Sequence, residues 1–390
     1  MCASEPQLVE SGAAHERSIV VADLHLSTGA GAELFRADRQ FARFTEHIAA
    51  REQPVDRMVL AGDAFDLLHT TNNGRAWRDT SEETSLVKLE LAAGAHPLVL
   101  RALADLATTG VQLEILPGNH DLELVRPSAQ RLLREILESH RSGAGRGVRF
   151  HPWIYYQPGL AYVEHGSQHH GLNAVASLLE PSPDRLEVPL GAELDFYRLD
   201  RDAGARIEAT GRLGAALVRR LFRFRDQRTD RSYREKVVSP LAQPLGIGRQ
   251  TLVELDSLTP LRPLEAELGL ARAGLTSLFD EARGTPMRAV DYLHQAAARI
   301  DNLLTREEAG VHFYIFGHSH VAVDRPVRAD CTNPRYLNPG TWSRIVPTSM
   351  RQVAGTIVRF GFIELQSPNG GYPTARLLRW NDADQAPECV

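Results

Sequence analysis

Five short clusters of Asp, His and Asn side chains each follow an apolar run in this 390-residue chain. In chain order they are Asp23-Leu-His25, Gly62-Asp63-Ala-Phe-Asp66, Gly118-Asn119-His120-Asp121, Glu164-His165-Gly166 and Gly317-His318-Ser-His320. Carboxylate oxygens, imidazole nitrogens and an amide oxygen suit divalent first-row metals of borderline hardness, and they argue against an iron–sulfur or all-thiolate site. The candidate donors are too many for one tetrahedral ion, so the pattern predicts two ions that share a carboxylate.

Apolar runs of strand length precede these clusters and determine where the side chains lie. The run Val111–Leu116 stops at Pro117-Gly118, a dipeptide that turns the chain sharply. In open α/β sheets, ligands bind beyond the carboxyl ends of the strands, so we expect the five clusters to converge. On an extended chain His318 and His320 point to the same side, which would let them serve neighbouring ions. A lone Asp or His at a strand end is usually a hydrogen-bonded surface or core residue, but five such ends argue against that interpretation.

Taken in order, the five clusters resemble the calcineurin-like metallophosphoesterase superfamily. That family has Asp-x-His, Gly-Asp-x-x-Asp, Gly-Asn-His-Asp/Glu, a lone His and Gly-His-x-His, and the resemblance covers roughly residues 18–170 and 310–345. It implies an α/β fold, specifically a four-layer αββα sandwich, here with a large helical insertion. It implies one ion held by Asp23, His25 and His320, a second held by Asn119, His165 and His318, and Asp63 as the bridge between them.

The resemblance also implies a reaction, which is hydrolysis of a phosphomonoester, phosphodiester or pyrophosphate bond by a metal-bridged hydroxide. The cofactors would be two divalent ions, such as Mn²⁺, Fe²⁺ or Zn²⁺. His120 would protonate the leaving oxygen or stabilise charge on the substrate phosphate, and Asp66 would orient it. Asp121 is the competing partner for His120, and its other interpretation is a carboxylate that caps the turn.

The fourth cluster departs from many relatives, which have Gly before this His or Asp after it. Here the stretch reads Glu164-His165-Gly166, with His169 and His170 close behind. We expect His165 to be the ligand because it directly ends a strand. His169 or His170 could instead contact the substrate, or both could be surface residues.

Two other functions stay open at this point. The layout resembles bacterial phosphoesterases, including the pyrophosphohydrolases of the lipid A pathway, so one alternative is a lipid-precursor pyrophosphohydrolase at a membrane surface. The other is a non-catalytic metal-binding scaffold. The intact ligand set and His120 argue against a scaffold, because desolvating so many polar groups at one place is unfavourable unless they are used.

The pattern divides the chain into a metallophosphoesterase domain, residues 17–171 and 306–385, and a mostly helical insertion, residues 172–305. The insertion leaves the domain between two ligand clusters, so we expect it to cap the site and set the substrate. Its basic stretch, Arg206 to Arg225, has three interpretations: contact with an anionic membrane, binding of a phosphate-rich substrate, or a solvated helix face.

Composition excludes several classes of protein. The chain is 43% hydrophobic and 24% charged, and its net charge of −5 gives no basic character that would indicate nucleic acid. Three cysteines make no disulfide framework. The first residues lack the basic and apolar regions of a signal peptide, and no run reaches membrane-spanning length. We therefore expect a cytoplasmic enzyme whose partner is a small phosphorylated substrate; the oligomeric state is not predicted.

Periodicity and turn residues predict the elements between the clusters. They are a loose tail over residues 1–16, a β-α-β unit over residues 18–63 with its helix at 36–50, a polar loop over residues 67–95, helices at 97–108 and 128–140, a strand pair formed by 148–153 and 160–163, and antiparallel strands within 355–379.

Overall fold

The computed structural model describes residues 16–28, 35–72, 75–170, 173–175, 178–179, 184–189, 191–192, 237, 239–258, 292–329, 332–343, 358–368 and 371–390. Its strands are β1 (Glu16–Val21), β2 (Arg57–Ala61), β3 (Thr71–Asn72), β4 (Arg75–Ala76), β5 (Gln112–Leu116), β6 (Val148–Phe150), β7 (Ile154–Gln157), β8 (Ala161–Glu164), β9 (Phe313–Phe316), β10 (Ala322–Pro326), β11 (Arg335–Pro339), β12 (Gly361–Ser367), β13 (Thr374–Asn381) and β14 (Ala386–Cys389). Its α-helices are α1 (Asp38–Ala49), α2 (Glu82–Ala95), α3 (Pro97–Thr108), α4 (Pro127–His140), α5 (Ala242–Leu245), α6 (Arg249–Leu258) and α7 (Tyr292–Arg306).

A seven-stranded sheet has the order β14-β13-β12-β1-β2-β5-β6. Strands β1, β2, β5 and β6 are parallel, and β12, β13 and β14 complete the sheet in antiparallel pairing. The β-α-β unit is confirmed, since β1 and β2 are parallel neighbours with Val20 opposite Val59. This pairing brings the carboxyl ends of β1, β2 and β5 to one edge, where the first three clusters begin.

A five-stranded sheet has the order β10-β11-β9-β8-β7. Strands β8 and β9 are parallel, with Val163 opposite Ile315, so His165 and Gly317 follow side by side. At one edge of this sheet β7 pairs antiparallel with β8, and at the other edge β10 pairs antiparallel with β11. The described strands therefore form two mixed sheets and a short ribbon, and the α/β class is confirmed.

Alternate strand residues pack on opposite faces of the first sheet. In β2, Met58 and Leu60 join a buried cluster with helices α1, α3 and α4, whereas Val59 and Ala61 join a cluster shared with the second sheet through Val163. All of these side chains are buried. Fully burying an aliphatic side chain of this size contributes about 1.5–3 kcal/mol, so the alternation fixes the register of each strand.

The second sheet shows the same alternation. Phe313 and Ile315 of β9 lie in the cluster between the two sheets, whereas Tyr314 and Phe316 lie in a cluster with Leu252 of α6 and with α7. Helix α6 and all but the last residue of α7 fall within residues 172–305, and these helices cover one face of this sheet. The division into residues 17–171 and 306–385 and an insertion at 172–305 stays a prediction.

One prediction for the segment before β5 is wrong. Residues 67–95 are not a polar loop throughout, because α2 occupies Glu82–Ala95. Ser81 caps this helix, its hydroxyl accepting from the N–H of Thr84. The apolar and polar residues of α2 do not separate onto two faces, and both Lys88 and Leu89 are buried. The segment therefore lacks the helical periodicity on which the sequence interpretation depends.

The expected strand pair before His165 is also wrong in its partner. Val148–Phe150 forms β6 and pairs with β5, while β8 pairs with β7. The turn at Pro158-Gly159 closes the β7–β8 hairpin, with Gly159 at φ +69° and the Leu160 N–H donating to Gln157 O over 3.0 Å. The sequence does contain this turn. However, β6 and β7 are both short and follow one another directly, so the sequence pattern does not show which of them pairs with β8.

Some expectations fall on residues outside the described ranges. They are residues 1–15 of the tail expected over residues 1–16, and the basic stretch Arg206 to Arg225. Within the described ranges, each helix is too short or too polar to cross a bilayer.

Candidate metal centre

A first group of donors lies beyond the ends of β1 and β9. His25 Nε2 is 3.0 Å from His320 Nε2, and Asp23 Oδ1 is 3.1 Å from His320 Nε2. All three residues are buried. The Asp23 carboxylate also accepts the backbone N–H of His318 over 3.0 Å, which joins the ends of the two sheets. These are the residues expected to hold the first ion.

A second group lies beyond β2, β5, β8 and β9. His165 Nε2 is 3.2 Å from Asp63 Oδ2 and 3.1 Å from Asn119 Oδ1. The rings of His165 and His318 are in edge contact, with centroids 5.1 Å apart. The structure thus brings together the residues expected to hold the second ion and to bridge the pair.

Asp63 lies between the two groups. Its Oδ2 is 3.7 Å from His25 Nε2 in the first group and 3.2 Å from His165 Nε2 in the second. Its Oδ1 accepts the backbone N–H of His120 over 2.8 Å. One oxygen is therefore held by the backbone while the other faces an imidazole of each group.

The donor separations fit divalent ions. Two ligand atoms that each lie about 2.1 Å from one ion and subtend a right angle are about 3.0 Å apart. The His25–His320, Asp23–His320, Asn119–His165 and Asp63–His165 pairs lie 3.0–3.2 Å apart. Nitrogen and oxygen donors in equal measure suit Mn²⁺, Fe²⁺ or Zn²⁺, so the described residues could hold metal ions.

The backbone is strained where these ligands lie. Five candidate ligands have left-handed φ angles between +49° and +64°, a region that residues other than Gly rarely occupy: Asp23, His25, Asp63, His318 and His320. Among the described residues other than Gly, only three outside the candidate site share this property: Glu308, Phe360 and Gln385. Such strain persists where the surrounding structure enforces it, and it is typical of functional sites.

Gly62 shows how closely the chain approaches a ligand ring. It has φ +84°, and a Cβ at this position would lie 2.5 Å from Cγ of His165. Only Gly combines that backbone angle with that approach. Glycine before Asp63 is therefore required for His165 to reach the second group.

Burial and neighbouring charge act in opposition at the buried acids. Burial raises the pKa of Asp63, but the imidazoles of His165 and His120 lower it more, so that it lies well below its ordinary value. Burial lowers the pKa of His165, yet Asp63 raises it more, to about 9. Asp63 is thus an anion that attracts positive charge, which is the condition a bridging carboxylate must meet.

His120 lies beside the two groups and is anchored by Asp66. His120 Nδ1 is 2.9 Å from Asp66 Oδ1, and the His120 ring lies edge-on to His25 with centroids 4.7 Å apart. His25, Asp66 and His120 also have ligand atoms within 4.8 Å of one another. The geometry therefore permits either the expected catalytic pair or a further metal-ligating set, which metal counts on variants distinguish.

Asp121 has the role of a cap in this structure. Its Oδ1 accepts the Gly118 N–H over 2.6 Å, and its Oδ2 accepts the Phe65 N–H over 3.1 Å. Burial first and the charge of Asp63 second raise the pKa of Asp121 to about 7. Asp66, and not Asp121, thus supplies the carboxylate beside the His120 ring nitrogen.

His169 and His170 differ in their surroundings. His169 is buried, and its Nε2 lies 3.1 Å from Glu164 Oε2, so its side chain contacts a buried residue next to the candidate ligand His165. His170 is half-buried, and its Nδ1 lies 3.1 Å from His318 Nε2. Of the two alternatives left open by the sequence, His170 is the one that reaches the candidate site.

Sequence reasoning missed two further contacts. His69 Nδ1 lies 3.0 Å from both oxygens of Asp66, so Asp66 has a histidine on each side. Asn173 Nδ2 lies 3.2 Å from His318 Nε2. His69 is three residues beyond Asp66, a spacing that could have indicated the first contact; no sequence signal joins residues 173 and 318.

Residues around the Pro339-Gly340 turn, at the end of β11, make hydrogen bonds to the backbone of the ligand-bearing turns. Asn338 Nδ2 donates to Gly317 O over 2.7 Å, and the Thr341 hydroxyl donates to Asp23 O over 2.8 Å. The Ser343 hydroxyl donates to Leu24 O over 2.5 Å. These buried hydrogen bonds hold the strained backbone of both ligand-bearing turns.

Neither a scan of protein-family models nor a search of curated proteins found a match to this chain. Its function is therefore inferred from its own residues.

Proposed function

We propose that the protein is a two-metal phosphoesterase of the calcineurin-like metallophosphoesterase superfamily, with the four-layer αββα sandwich of that family. The observation that carries the proposal is the place of Asp63. One of its oxygens lies within 3.7 Å of His25 and 3.2 Å of His165, one imidazole from each donor group. A carboxylate in that position would be shared by two ions.

When bound, two divalent ions would activate a water and neutralise charge on a phosphate. Asp23, His25 and His320 would hold one ion, and Asn119, His165 and His318 the other. Because Asp23, Asp63 and His165 are buried and hydrogen-bonded to the backbone, little reorganisation of these donors would be needed during the reaction. The protein's contribution is thus a rigid arrangement of donors with a single shared anion.

His120 would act on the phosphate ester itself. Asp66 engages its Nδ1, so donation of a proton to the leaving oxygen would use Nε2. Asp66 is buried, and burial raises its pKa, but His69 and His120 lower it more, so that it stays an anion. A charged carboxylate stabilises the protonated imidazole, which is what a general acid requires before it donates.

The reaction itself defines the substrate class. A phosphomonoester, a phosphodiester or a pyrophosphate bond would each fit two ions and a general acid. We propose that residues 172–305 decide between them, because Leu186 and Ala192 of this segment contact the stretch that follows Asp66. Thr80 and Leu186 exchange backbone and side-chain hydrogen bonds, and Leu68 packs on Ala192.

A deletion tests this role of the insertion. Replacing residues 201–235 by a Gly/Ser linker spares α6 and α7, whose side chains lie in the core. We expect unchanged metal content and a changed ratio of rates between mono- and diesters. Loss of bound metal would show instead that these residues belong to the domain that holds the ions.

Metal counting tests the two-ion centre itself. Wild type and Asp63→Asn would be dialysed against Mn²⁺ and the bound metal measured by mass spectrometry. We expect two ions per wild-type chain and a loss in the variant, since an amide cannot supply the shared charge. Fewer than two ions across Mn²⁺, Fe²⁺ and Zn²⁺ would contradict the proposal.

A further inference from the structure

A pair of side chains contacts one candidate ligand from outside the donor groups. His170 Nδ1 lies 3.1 Å from His318 Nε2, and Asn173 Nδ2 lies 2.8 Å from His170 Nδ1 and 3.2 Å from His318 Nε2. His170 and Asn173 follow Gly166, which has φ +102° and turns the chain after His165. The turn that ends the fourth cluster therefore carries both residues back to the fifth.

The pair is fixed by its own contacts. The ring of His170 stacks on Tyr292 of α7, with centroids 5.0 Å apart and planes 22° apart. The backbone N–H groups of Asn173 and Ala174 both donate to His170 O, over 2.8 and 2.9 Å. His170 is thus held from two directions and can hold the ring of His318 in turn.

The contact determines which nitrogen of His318 can face an ion. Its Nε2 is engaged by His170 Nδ1, which leaves Nδ1 of His318 for the ion of the Asp63 and His165 group. A ligating imidazole presents a lone pair from one nitrogen and donates from the other to an orienting partner. With Nε2–H as that donor, His170 Nδ1 is the acceptor.

His165 provides a comparison within the same group. Its Nδ1 lies 3.0 Å from Ala61 O, and its Nε2 faces Asp63 and Asn119. In the first group, by contrast, the Nδ1 atoms of His25 and His320 are buried without a hydrogen-bond partner among the described residues. Within the part of the chain that the structure describes, outer partners of Nδ1 or Nε2 therefore occur on the histidines of the second group and not on His25 or His320.

We propose that His170, whose Nδ1 accepts from His318 Nε2–H, is a positioning residue that holds His318 with Nδ1 toward the second ion and thereby tightens the binding of that ion. The inference rests on the proposed two-ion centre. Removing an outer partner of a ligating histidine typically weakens metal binding about 10- to 100-fold. The effect is expected on the second ion, because His170 engages His318 of the second group.

Two substitutions of His170 test separately the role of its hydrogen-bond acceptor and the role of its aromatic ring. His170→Phe keeps a ring to stack on Tyr292 but removes the acceptor. His170→Asn loses the ring, and its amide oxygen can take the place of Nδ1. Each would be measured in an Asp23→Asn background, which retains the second group, and in an Asn119→Ala background, which retains the first.

Mn²⁺ affinity by calorimetry is the readout, with the melting temperature of the metal-free proteins as the folding control. We expect His170→Phe to weaken binding about 10- to 100-fold in the Asp23→Asn background and to leave the Asn119→Ala background unchanged. His170→Asn should stay close to the parent in both.

Three results would overturn the inference. Unchanged affinity for His170→Phe in both backgrounds, with two ions in wild type, would defeat it while leaving the two-ion centre intact. Equal weakening in both backgrounds, or equal loss for His170→Asn, would show a general packing role. Absence of a second ion in wild type would defeat the proposed function together with the inference.

Discussion

Nδ1 of His120 lies 2.9 Å from Oδ1 of Asp66, and this carboxylate is completely buried. His120 itself is partly exposed, at the rim of the two donor groups. The pair thus links a fixed interior anion to an imidazole at the partly exposed edge of the donor groups. The two residues lie 54 positions apart in the chain, and parallel pairing of β2 with β5 brings them together.

Replacing His120 by Ala should lower kcat about 10²- to 10⁴-fold on a substrate with a poor leaving group, because the general acid is lost. Asp66→Asn should lower kcat in the same direction, since the amide no longer stabilises the protonated ring. Steady-state kinetics with saturating Mn²⁺ measure both effects. The metal content of each variant should equal that of wild type.

The control for these variants is His140→Gln, in the last turn of α4. It should retain wild-type kcat and metal content. Loss of an ion in His120→Ala would show that His25, Asp66 and His120 form a ligand set, and the acid role would then be wrong. An unchanged kcat in His120→Ala would also show that the acid role is wrong.

Gly118→Ala should disable the centre through Asp63. A Cβ at Gly118 would lie 2.0 Å from Asp63 Oδ1 and 2.5 Å from its backbone nitrogen. Relieving that overlap must move the shared carboxylate, at a cost of about 1–3 kcal/mol or more. We expect weaker Mn²⁺ binding by calorimetry and a lower melting temperature.

Gly94→Ala is the matched control for that substitution. Gly94 lies within α2, and a Cβ there meets no atom within 4 Å. It should stabilise the protein by about 0.5–1 kcal/mol, because Ala is the better helix former. Equal metal affinity in both variants would mean that Asp63 does not depend on the close approach of Gly118.

The candidate centre was largely predictable because it depends on strand ends. Every expected donor follows a strand, and the ends of parallel strands meet at one edge of a sheet. His170 was not predictable as a contact of His318, since 148 residues separate them and no periodicity connects the two. Long-range contacts of this kind follow from the path of a turn, which Gly166 sets through its positive φ.

The fold was predictable where a single periodicity dominates. Helix α1 was expected because its buried residues, such as Phe41 and Phe44, lie on one face. Helix α2 was not expected, since the charged residue Lys88 is buried on it and its polar and apolar residues do not separate onto two faces. The β7–β8 hairpin was missed because its strands are four residues each, too short for alternation to select a partner.

Glu364 gives the fold a pH dependence that is separate from the centre. Its carboxylate lies 3.4 Å from Arg17, 3.2 Å from Arg51 and 3.1 Å from Arg376, joining β1, β12, β13 and the chain after α1. Burial raises the pKa of Glu364, but the hydrogen bond from Gln366 and the three arginines lower it more, so that it lies below its ordinary value of 4.5.

A lowered pKa in the folded protein means that Glu364 adds stability above pH 4.5 and that this stability is lost as the pH falls through the folded pKa. We expect Glu364→Gln to lower the free energy of unfolding at pH 7 by about 1.5–3 kcal/mol. Urea titrations from pH 7 to pH 3 should show a shallower acid dependence in the variant. Parallel curves for the two proteins would contradict the assignment.

The most direct test of the two-metal proposal compares wild type with Asp63→Asn on bis-p-nitrophenyl phosphate and p-nitrophenyl phosphate with added Mn²⁺. We expect wild type to hydrolyse at least one ester, the variant to hydrolyse neither, and a chelator to abolish the wild-type rate reversibly. The ratio of the two rates then separates a diesterase from a monoesterase. A wild-type protein that binds none of several divalent ions and hydrolyses neither ester, or an Asp63→Asn variant with the full wild-type rate, would contradict a centre built around Asp63.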